Sequence, residues 1–340
     1  MIYFTGDINL TDWDFNVGFG IGSRISCGLD PFSFLERKED DIWVGNFEGV
    51  TSNQSTKEGF KSEVFRVKPE FLKRIKHFEF YGFANNHAMQ HGEGAYQETV
   101  KSLESFGCGV FGTQKRKSVL LDHQGREVSL TGLCLRIDEF TDKPSYWYNP
   151  EYKEIEDEIS KLPSQAFKVL FVHWGNEYIN RPSSAQKKYA HWLIDAGFNL
   201  IIGMHPHVLQ GYEDYKGKRI YYSLGNFVFE MASKPCRYGA IIGLNFNNDK
   251  AELTEHYIQI DKQCCPHVIE KNNVPERYRF DYLNECLKKE DNSEQYHQEI
   301  MAGYKKYRKE NHQYVIGNML RHPKTGMMIM NDFLKRRLHI

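Results

Sequence analysis

An α/β fold built from parallel βα units is what this 340-residue chain predicts, on three observations. Apolar runs too short for helices recur through residue 260, as in Phe167 to Val172 and Asn199-Leu200-Ile201-Ile202. Stretches with helical spacing separate them. Polar residues able to hold a ligand follow the runs directly, at the edge where open α/β sheets place their sites.

Taken in order, Ile2-Tyr3-Phe4 is the first strand, and Gly6 allows a tight turn that sends Asp7 and Asn9 toward a crevice. An Asp there is equally a cap or turn residue. Residues 11 to 35, rich in glycine and aromatics, read as an irregular site wall, and Asp30-Pro31 opens a short helix. Asp41 to Gly45 is the second strand and delivers Glu48. Val64 to Val67 reads as an outer strand and Pro69 to His77 as a helix. Phe80 to Ala84 delivers Asn85-Asn86-His87, and Ala95 to Phe106 is a helix.

Val119 to Asp122 and Val128 to Leu133 flank Asp122-His123-Gln124-Gly125, a hairpin signal. Residues 136 to 150 read as a loop. Pro150 to Leu162 has Tyr152, Ile155 and Ile159 on one helix face. Phe167 to Val172 then delivers His173. Ser183 to Ala196 is a helix ended by Gly197. The next strand, Asn199 to Ile202, delivers Gly203-Met204-His205-Pro206-His207. Arg219 to Ser223 is a further strand. Gly239 to Phe246 and Glu252 to Ile260 form an antiparallel pair around Asn247-Asn248-Asp249.

After residue 262 the texture changes to lysine, arginine and glutamate with periodic Leu and Tyr. The expected organisation is a domain over 1–262 and a mainly helical extension over 263–340. That extension would pack on the main domain or on a second subunit, which makes a homo-oligomer through these helices one option.

Composition narrows the function classes. A formal charge of -1 argues against broad nucleic-acid binding. The seven cysteines are odd in number and lack a Cys-x-x-Cys spacing, so a zinc knuckle or disulfide framework is not expected. Free thiols suit a reducing compartment. The first residues form a strand rather than a leader, and no run approaches the roughly 18 apolar residues of a membrane span. The expectation is a soluble cytoplasmic protein. A phosphate-binding Gly-rich loop with its lysine and a Gly-x-Ser-x-Gly elbow are both missing from the sequence.

Five strand ends thus deliver Asp7 with Asn9, Glu48, Asn86 with His87, His173, and His205 with His207. Carboxylate, carboxamide and imidazole together suit divalent zinc, manganese or iron. Glu48 is the natural bridging carboxylate for a two-ion site that clamps the oxygens of a displacement reaction.

The stretches Thr5-Gly6-Asp7, Asn46-Phe47-Glu48-Gly49, Ala84-Asn85-Asn86-His87, His173 to Tyr178, Gly203 to His207 and Tyr222 to Phe227 stand in this order over roughly residues 1 to 245. In them the chain resembles the CapA family, the poly-gamma-glutamate capsule synthesis proteins, within the calcineurin-like metallophosphoesterase superfamily. The resemblance implies a four-layer sandwich, two mixed sheets with helices outside. It also implies two divalent ions: Asp7, Glu48 and His207 would hold one, and Glu48, Asn86, His173 and His205 the other. His87 would be the general acid or would stabilise developing charge. The chain departs from the wider superfamily at Asn9, where a metal-binding histidine is common, and at Glu48, where aspartate is usual.

Around this set, Glu177 would orient an imidazole, contact a substrate amine or stay a loop carboxylate. Asn226 is either part of the metal-loop framework or a turn residue. Arg181, His91, Arg24 and Lys61 are candidates for an anionic substrate, and Trp174 reads as packing. Two functions follow as expectations. One is a hydrolase whose metal-bound hydroxide attacks a phosphoester or a gamma-glutamyl amide, with an anionic small molecule or glutamyl polymer as partner. The other is a non-catalytic, metal-containing assembly or binding factor for capsule polymer synthesis.

Overall fold

The computed structural model describes residues 1–14, 16–74, 77–247, 250–289 and 293–338. In chain order its strands are β1 (Ile2–Ile8), β2 (Ile42–Phe47), β3 (Val50–Thr51), β4 (Arg66–Val67), β5 (Phe80–Gly82), β6 (Gly109–Phe111), β7 (Ser118–His123) and β8 (Arg126–Cys134). They continue with β9 (Phe167–His173), β10 (Leu200–Met204), β11 (Tyr212–Tyr215), β12 (Lys218–Tyr221), β13 (Asn226–Val228), β14 (Tyr238–Asn247), β15 (Lys250–Ile260) and β16 (Pro266–Ile269). The helices are α1 (Ile21–Ser26), α2 (Gly92–Ser105), α3 (Tyr152–Lys161), α4 (Ser184–Ala196), α5 (Phe280–Leu287), α6 (Ser293–Arg321) and α7 (Pro323–Leu338).

Two mixed sheets face each other. The first runs β16-β15-β14-β1-β2-β5-β6, with β13 also paired to β1; the second runs β11-β12-β10-β9-β8-β7. In the first, β1, β2, β5 and β6 are parallel and β14 to β16 antiparallel. In the second, β8, β9, β10 and β12 are parallel, closed by the antiparallel pairs β7–β8 and β11–β12.

Period-two alternation sorts the side chains between layers. Phe4, Val44, Val169, Phe171, Leu200 and Ile202 fill the space between the sheets. Trp43, Tyr81 and Val110 face outward with Tyr96 and Leu103 of α2. Leu170, Val172 and Ile201 face the other way, against Ile155 of α3 and Leu193 and Ile194 of α4. Helix, sheet, sheet, helix is therefore the layer order.

Some local expectations change. β1 does not turn at Gly6 but continues to Ile8. Residues 11 to 35 contain α1, whose Ile21 and Ser23 N–H groups are held by the carboxylates of Glu230 and Asp12. Local propensity does not reveal a helix fixed by such remote acceptors. Asp30-Pro31 opens turns rather than a helix: Asp30 Oδ1 accepts the Phe32 N–H at 2.9 Å, which competes with helical bonding. Pro69 to Arg74 forms a tighter 3₁₀ helix, and residues 75 and 76 of the expected helix lie outside the described residues. So do Asn248 and Asp249 of the expected β14–β15 turn, and residues 290–292 of the extension. β11 escapes the sequence pattern because Tyr212-Glu213-Asp214-Tyr215 is a polar edge strand. Past residue 262, β16 still pairs with β15 before the helices begin.

α6 lies on the main body. Tyr307 stacks on Tyr178 with ring centroids 3.9 Å apart, and Trp13 borders the Tyr307 ring. Among the described residues, no helix is long and apolar enough to cross a membrane.

Candidate metal centre

The carboxyl ends of β1, β2, β9 and β10 meet at one point because the backbones there approach unusually closely. A Cβ on Gly6 would lie 1.8 Å from the Gly225 carbonyl oxygen, and one on Gly203 would lie 2.1 Å from that of Tyr222. Only glycine permits either contact. The Asp7 N–H then donates to the Gly225 carbonyl at 3.0 Å. After β10, His205 and His207 both take positive φ, 95° and 57°. Such conformations in non-glycine residues are costly and gather at functional loops. The Tyr178 N–H, donating to the Pro206 carbonyl at 2.9 Å, ties this loop to the one after β9.

Asp7, Glu48, His173, His205 and His207 are all buried here. The Asp7 carboxylate accepts the Asn46 amide at 2.8 Å and the His205 N–H at 3.1 Å. His173 lies 3.9 Å from Asp7 and 4.0 Å from Glu48; His207 lies 3.5 Å from Asp7 and 3.8 Å from Glu48. His173 Nε2 is 2.8 Å from Asn86 Oδ1 and 3.1 Å from His205 Nδ1. Asp7, Glu48 and His173 form one group whose donor atoms lie within 4.8 Å of each other, and Glu177, His205 and His207 form a second.

The electrostatics favour a cation. Among the described residues no backbone N–H, hydroxyl or guanidinium reaches the Glu48 oxygens, which face the Asp7 carboxyl, and His205 Nε2 has no hydrogen-bond partner. Burial, then the neighbouring Asp7, pushes the Glu48 carboxyl well above the usual carboxylate range; burial also raises Asp7. Burial holds His173 and His205 well below the usual imidazole range, and Arg136 adds to this. Neutral imidazoles with free lone pairs beside two carboxylates form a donor set for divalent zinc, manganese or iron. A positive ion reverses the burial cost of the carboxylates. The residues present therefore fit a metal group.

His87 sits at the mouth with its Nε2 3.9 Å from Glu48 Oε1 and its ring stacked on Phe65 at 4.2 Å. Its Nδ1 is 2.7 Å from Gln90 Oε1, and burial pushes its pKa down to about 4. Asn226 fixes His207. Its Nδ2 donates to the Cys236 carbonyl at 3.1 Å, which leaves Oδ1 to accept from His207 Nδ1 at 2.9 Å. That directs the lone pair of His207 Nε2 toward Glu48.

Other predicted residues sit elsewhere. The Asn9 Oδ1 is engaged by the N–H and hydroxyl of Thr11, at 2.8 and 2.6 Å. This Asx turn gives Asn9 a local role. Arg181 pairs with Glu299 at 2.8 Å, Arg24 with Glu230 at 3.4 Å and Lys61 with Asp14 at 2.7 Å. His91 is buried between Ser55 Oγ and the Val64 carbonyl, so both ring nitrogens are used. Trp174 packs on Tyr222 and donates to its carbonyl.

Sequence reasoning missed Asn46, Gln90 and Arg136. Asn46 is two residues before Glu48, so strand alternation was an available signal. Gln90 is one helical turn after His87. Arg136 lies just past β8 and donates to the Gly175 carbonyl at 2.8 Å, beside the His173 loop.

Residues 26–231 match the family described as bacterial capsule synthesis protein PGA_cap. The chain is 31% identical over 232 residues to the PGA biosynthesis protein CapA of Bacillus subtilis (strain 168), covering 62% of this chain and 60% of that one. It is 30% identical over 239 residues to the capsule biosynthesis protein CapA of Bacillus anthracis, covering 64% and 57%. The chain thus matches somewhat under two thirds of these relatives' length. Among solved structures, a hypothetical protein from Thermus thermophilus is similar with a TM-score of 0.47 at 12% identity, covering 76% of this chain and 98% of that one. A 5'-nucleotidase from Candida albicans SC5314 is similar with a TM-score of 0.45 at 13% identity, covering 92% and 58%.

Proposed function

The chain belongs to the bacterial capsule synthesis protein family PGA_cap, and from that premise we propose a dinuclear metal-dependent hydrolase acting on a phosphoester or a gamma-glutamyl amide bond. One observation carries this reading: Glu48 is fully buried beside the Asp7 carboxyl, receives no backbone N–H, hydroxyl or guanidinium among the described residues, and stands about 4 Å from three imidazoles. Asp7, Glu48 and His207 would hold one ion, and Glu48, Asn86, His173 and His205 the other. Glu177 is a further carboxylate beside His205 and His207. Manganese, zinc or iron would supply water activation and neutralisation of oxyanion charge.

The chain's own groups do the rest. Asn46 and Asn226 orient Asp7 and His207. Phe65 and Gln90 hold the His87 ring with Nε2 toward the centre, where the neutral ring would first take up a proton on Nε2 and then pass it to a leaving oxygen or nitrogen. The Bacillus subtilis relative is named for PGA biosynthesis and the Bacillus anthracis one for capsule biosynthesis, which supports a substrate drawn from capsule polymer synthesis, here a glutamyl compound anionic at each carboxylate. A cytoplasmic setting belongs to the same reading, since the seven cysteines are unpaired.

A second reading has its own support. Asn9 is neutral and bound to Thr11, so the first ion loses a donor. That favours a metal-containing, non-catalytic factor in capsule polymer synthesis. A metal-replete activity screen over phosphomonoesters, phosphodiesters and gamma-glutamyl peptides separates the two. The hydrolase reading expects turnover on one class, with His87→Ala lowering kcat about a hundredfold or more at unchanged metal content. Bound metal without turnover on any of these substrates would remove it.

A further inference from the structure

α6 and His322 after it close a second cavity against the main body, separated from the metal centre by Phe229, whose ring packs on His207 with centroids 4.7 Å apart. Its volume is about 360 Å³, within the range of small-molecule sites. The segment 260–264 after β15 forms one wall, Phe229 to Met231 another, and Tyr314, Asn318 and Arg321 a third. None of the candidate metal ligands lines it. Much of the lining comes from beyond residue 231, where the family match ends.

We propose that this cavity is a binding site for a small anion carrying two or more carboxylate or phosphate groups. Cations enter it from separate elements: Arg24 from α1, Arg237 from the turn before β14, Lys262 from the end of β15 and Arg321 from α6. The two acids in the wall are already committed. Glu230 accepts from the Ile21 N–H at 3.0 Å, from the Tyr314 hydroxyl at 2.8 Å and from Arg24 at 3.4 Å. Asp261 accepts from the Gln263 and Cys265 N–H groups and faces His267 Nε2 at 3.0 Å. Arg237 donates to the Met231 carbonyl at 3.4 Å. Among the described residues neither Arg237, Lys262 nor Arg321 has a carboxylate partner within 4 Å.

A second observation points the same way. Asn318 lines the cavity at 5% exposure, its side chain hydrogen-bonded to that of Tyr314. The amide carries two N–H groups, so one remains for an anionic oxygen, and a buried donor left without an acceptor is costly. The stacked pair Phe19 and His322, with centroids 3.8 Å apart, adds a flat apolar wall for the ligand's carbon frame. Cations on several walls of so small a space suit separated negative groups better than a single one. Carboxylate and phosphate share this chemistry, and the probes distinguish them.

The test is calorimetric titration of the full chain with citrate and, separately, with pyrophosphate. Saturable binding of about one anion per chain is expected for at least one probe. Arg237→Gln and Asn318→Asp should each weaken it about tenfold or more, while Glu48→Gln leaves it unchanged. If Asn318→Asp does not fold, Arg321→Gln, at an exposed helix position, carries the same expectation. Binding of citrate alone assigns carboxylates, and of pyrophosphate alone assigns phosphates. No binding of either at millimolar concentration would overturn the proposal. So would binding that survives Arg237→Gln but disappears in Glu48→Gln, since the anion would then sit at the metal centre.

Discussion

Glu48 and Glu230 are both buried glutamates, and the protein treats them in opposite ways. Glu230 receives a backbone N–H, a tyrosine hydroxyl and a guanidinium. Among the described residues Glu48 receives no backbone N–H, hydroxyl or guanidinium; the groups around it are imidazoles and the Asp7 carboxyl, which is within hydrogen-bond reach. A buried acid with complete partners holds elements together; here it ties α1 to α6. A buried acid without partners is destabilising unless a cation joins it. The difference separates a structural polar group from a ligand set within one chain.

The largest expected effect tests that contrast in the metal-free protein. Glu230→Ala should cost about 2 kcal/mol of stability, because it strands the Tyr314 hydroxyl and the Ile21 N–H and removes the partner of a partly exposed Arg24. Glu48→Gln should be neutral or stabilising by about 1 kcal/mol, since it removes an unpaired buried acid. Denaturant unfolding reads both, and changes of the same sign would break the comparison.

His77 sharpens it at a third point. Its ring is buried against Trp43 and Phe32 with no partner for Nε2 among the described residues, and burial, then Arg37, holds its pKa down to about 4. An imidazole with a lowered folded pKa contributes stability above about pH 6.5 and loses it as pH falls toward 4. His77→Phe should therefore shrink the stability difference between neutral pH and about pH 4.5 by roughly 2 kcal/mol. An unchanged acid profile would show that the ring is protonated without penalty.

Much of this contrast was legible beforehand, and the illegible part has a physical pattern. Asp7, Glu48, His173, His205 and His207 stood out because buried strands are short apolar runs with abrupt ends. The hairpins and the βα units followed from the same periodicities. What stayed hidden depended on remote partners. α1 needs Asp12 and Glu230 to satisfy its N–H groups, and β11 is polar because it forms a sheet edge. Asn226 looked like a turn residue because its tie to His207 crosses 19 positions. Lys61 and Arg181 were candidates for an anion because sequence does not show Asp14 and Glu299, the acids that face them. Asn9 shares its i, i+2 spacing with Asp7, yet its side-chain oxygen is taken by Thr11.

Smaller effects follow from the same logic. Asn226→Ala should weaken ion binding about tenfold by freeing His207 to rotate, as loss of an outer partner does at metal sites. Isothermal titration with manganese measures it, and full affinity would mean that Asn226 only shapes its turn. Tyr314→Phe should cost about 1 kcal/mol, the value of one hydrogen bond to Glu230. No change in unfolding midpoint would show that Arg24 and Ile21 suffice for that carboxylate.

The central claim is that Glu48 lacks a backbone, hydroxyl or guanidinium donor because it is shared between ions. Elemental analysis of the chain purified in the presence of manganese or zinc tests this most directly. About two ions per wild-type chain are expected, with both sites emptied in Glu48→Gln. A wild-type chain that retains no stoichiometric transition metal, or a Glu48→Gln chain that loses only one of two ions, would contradict it.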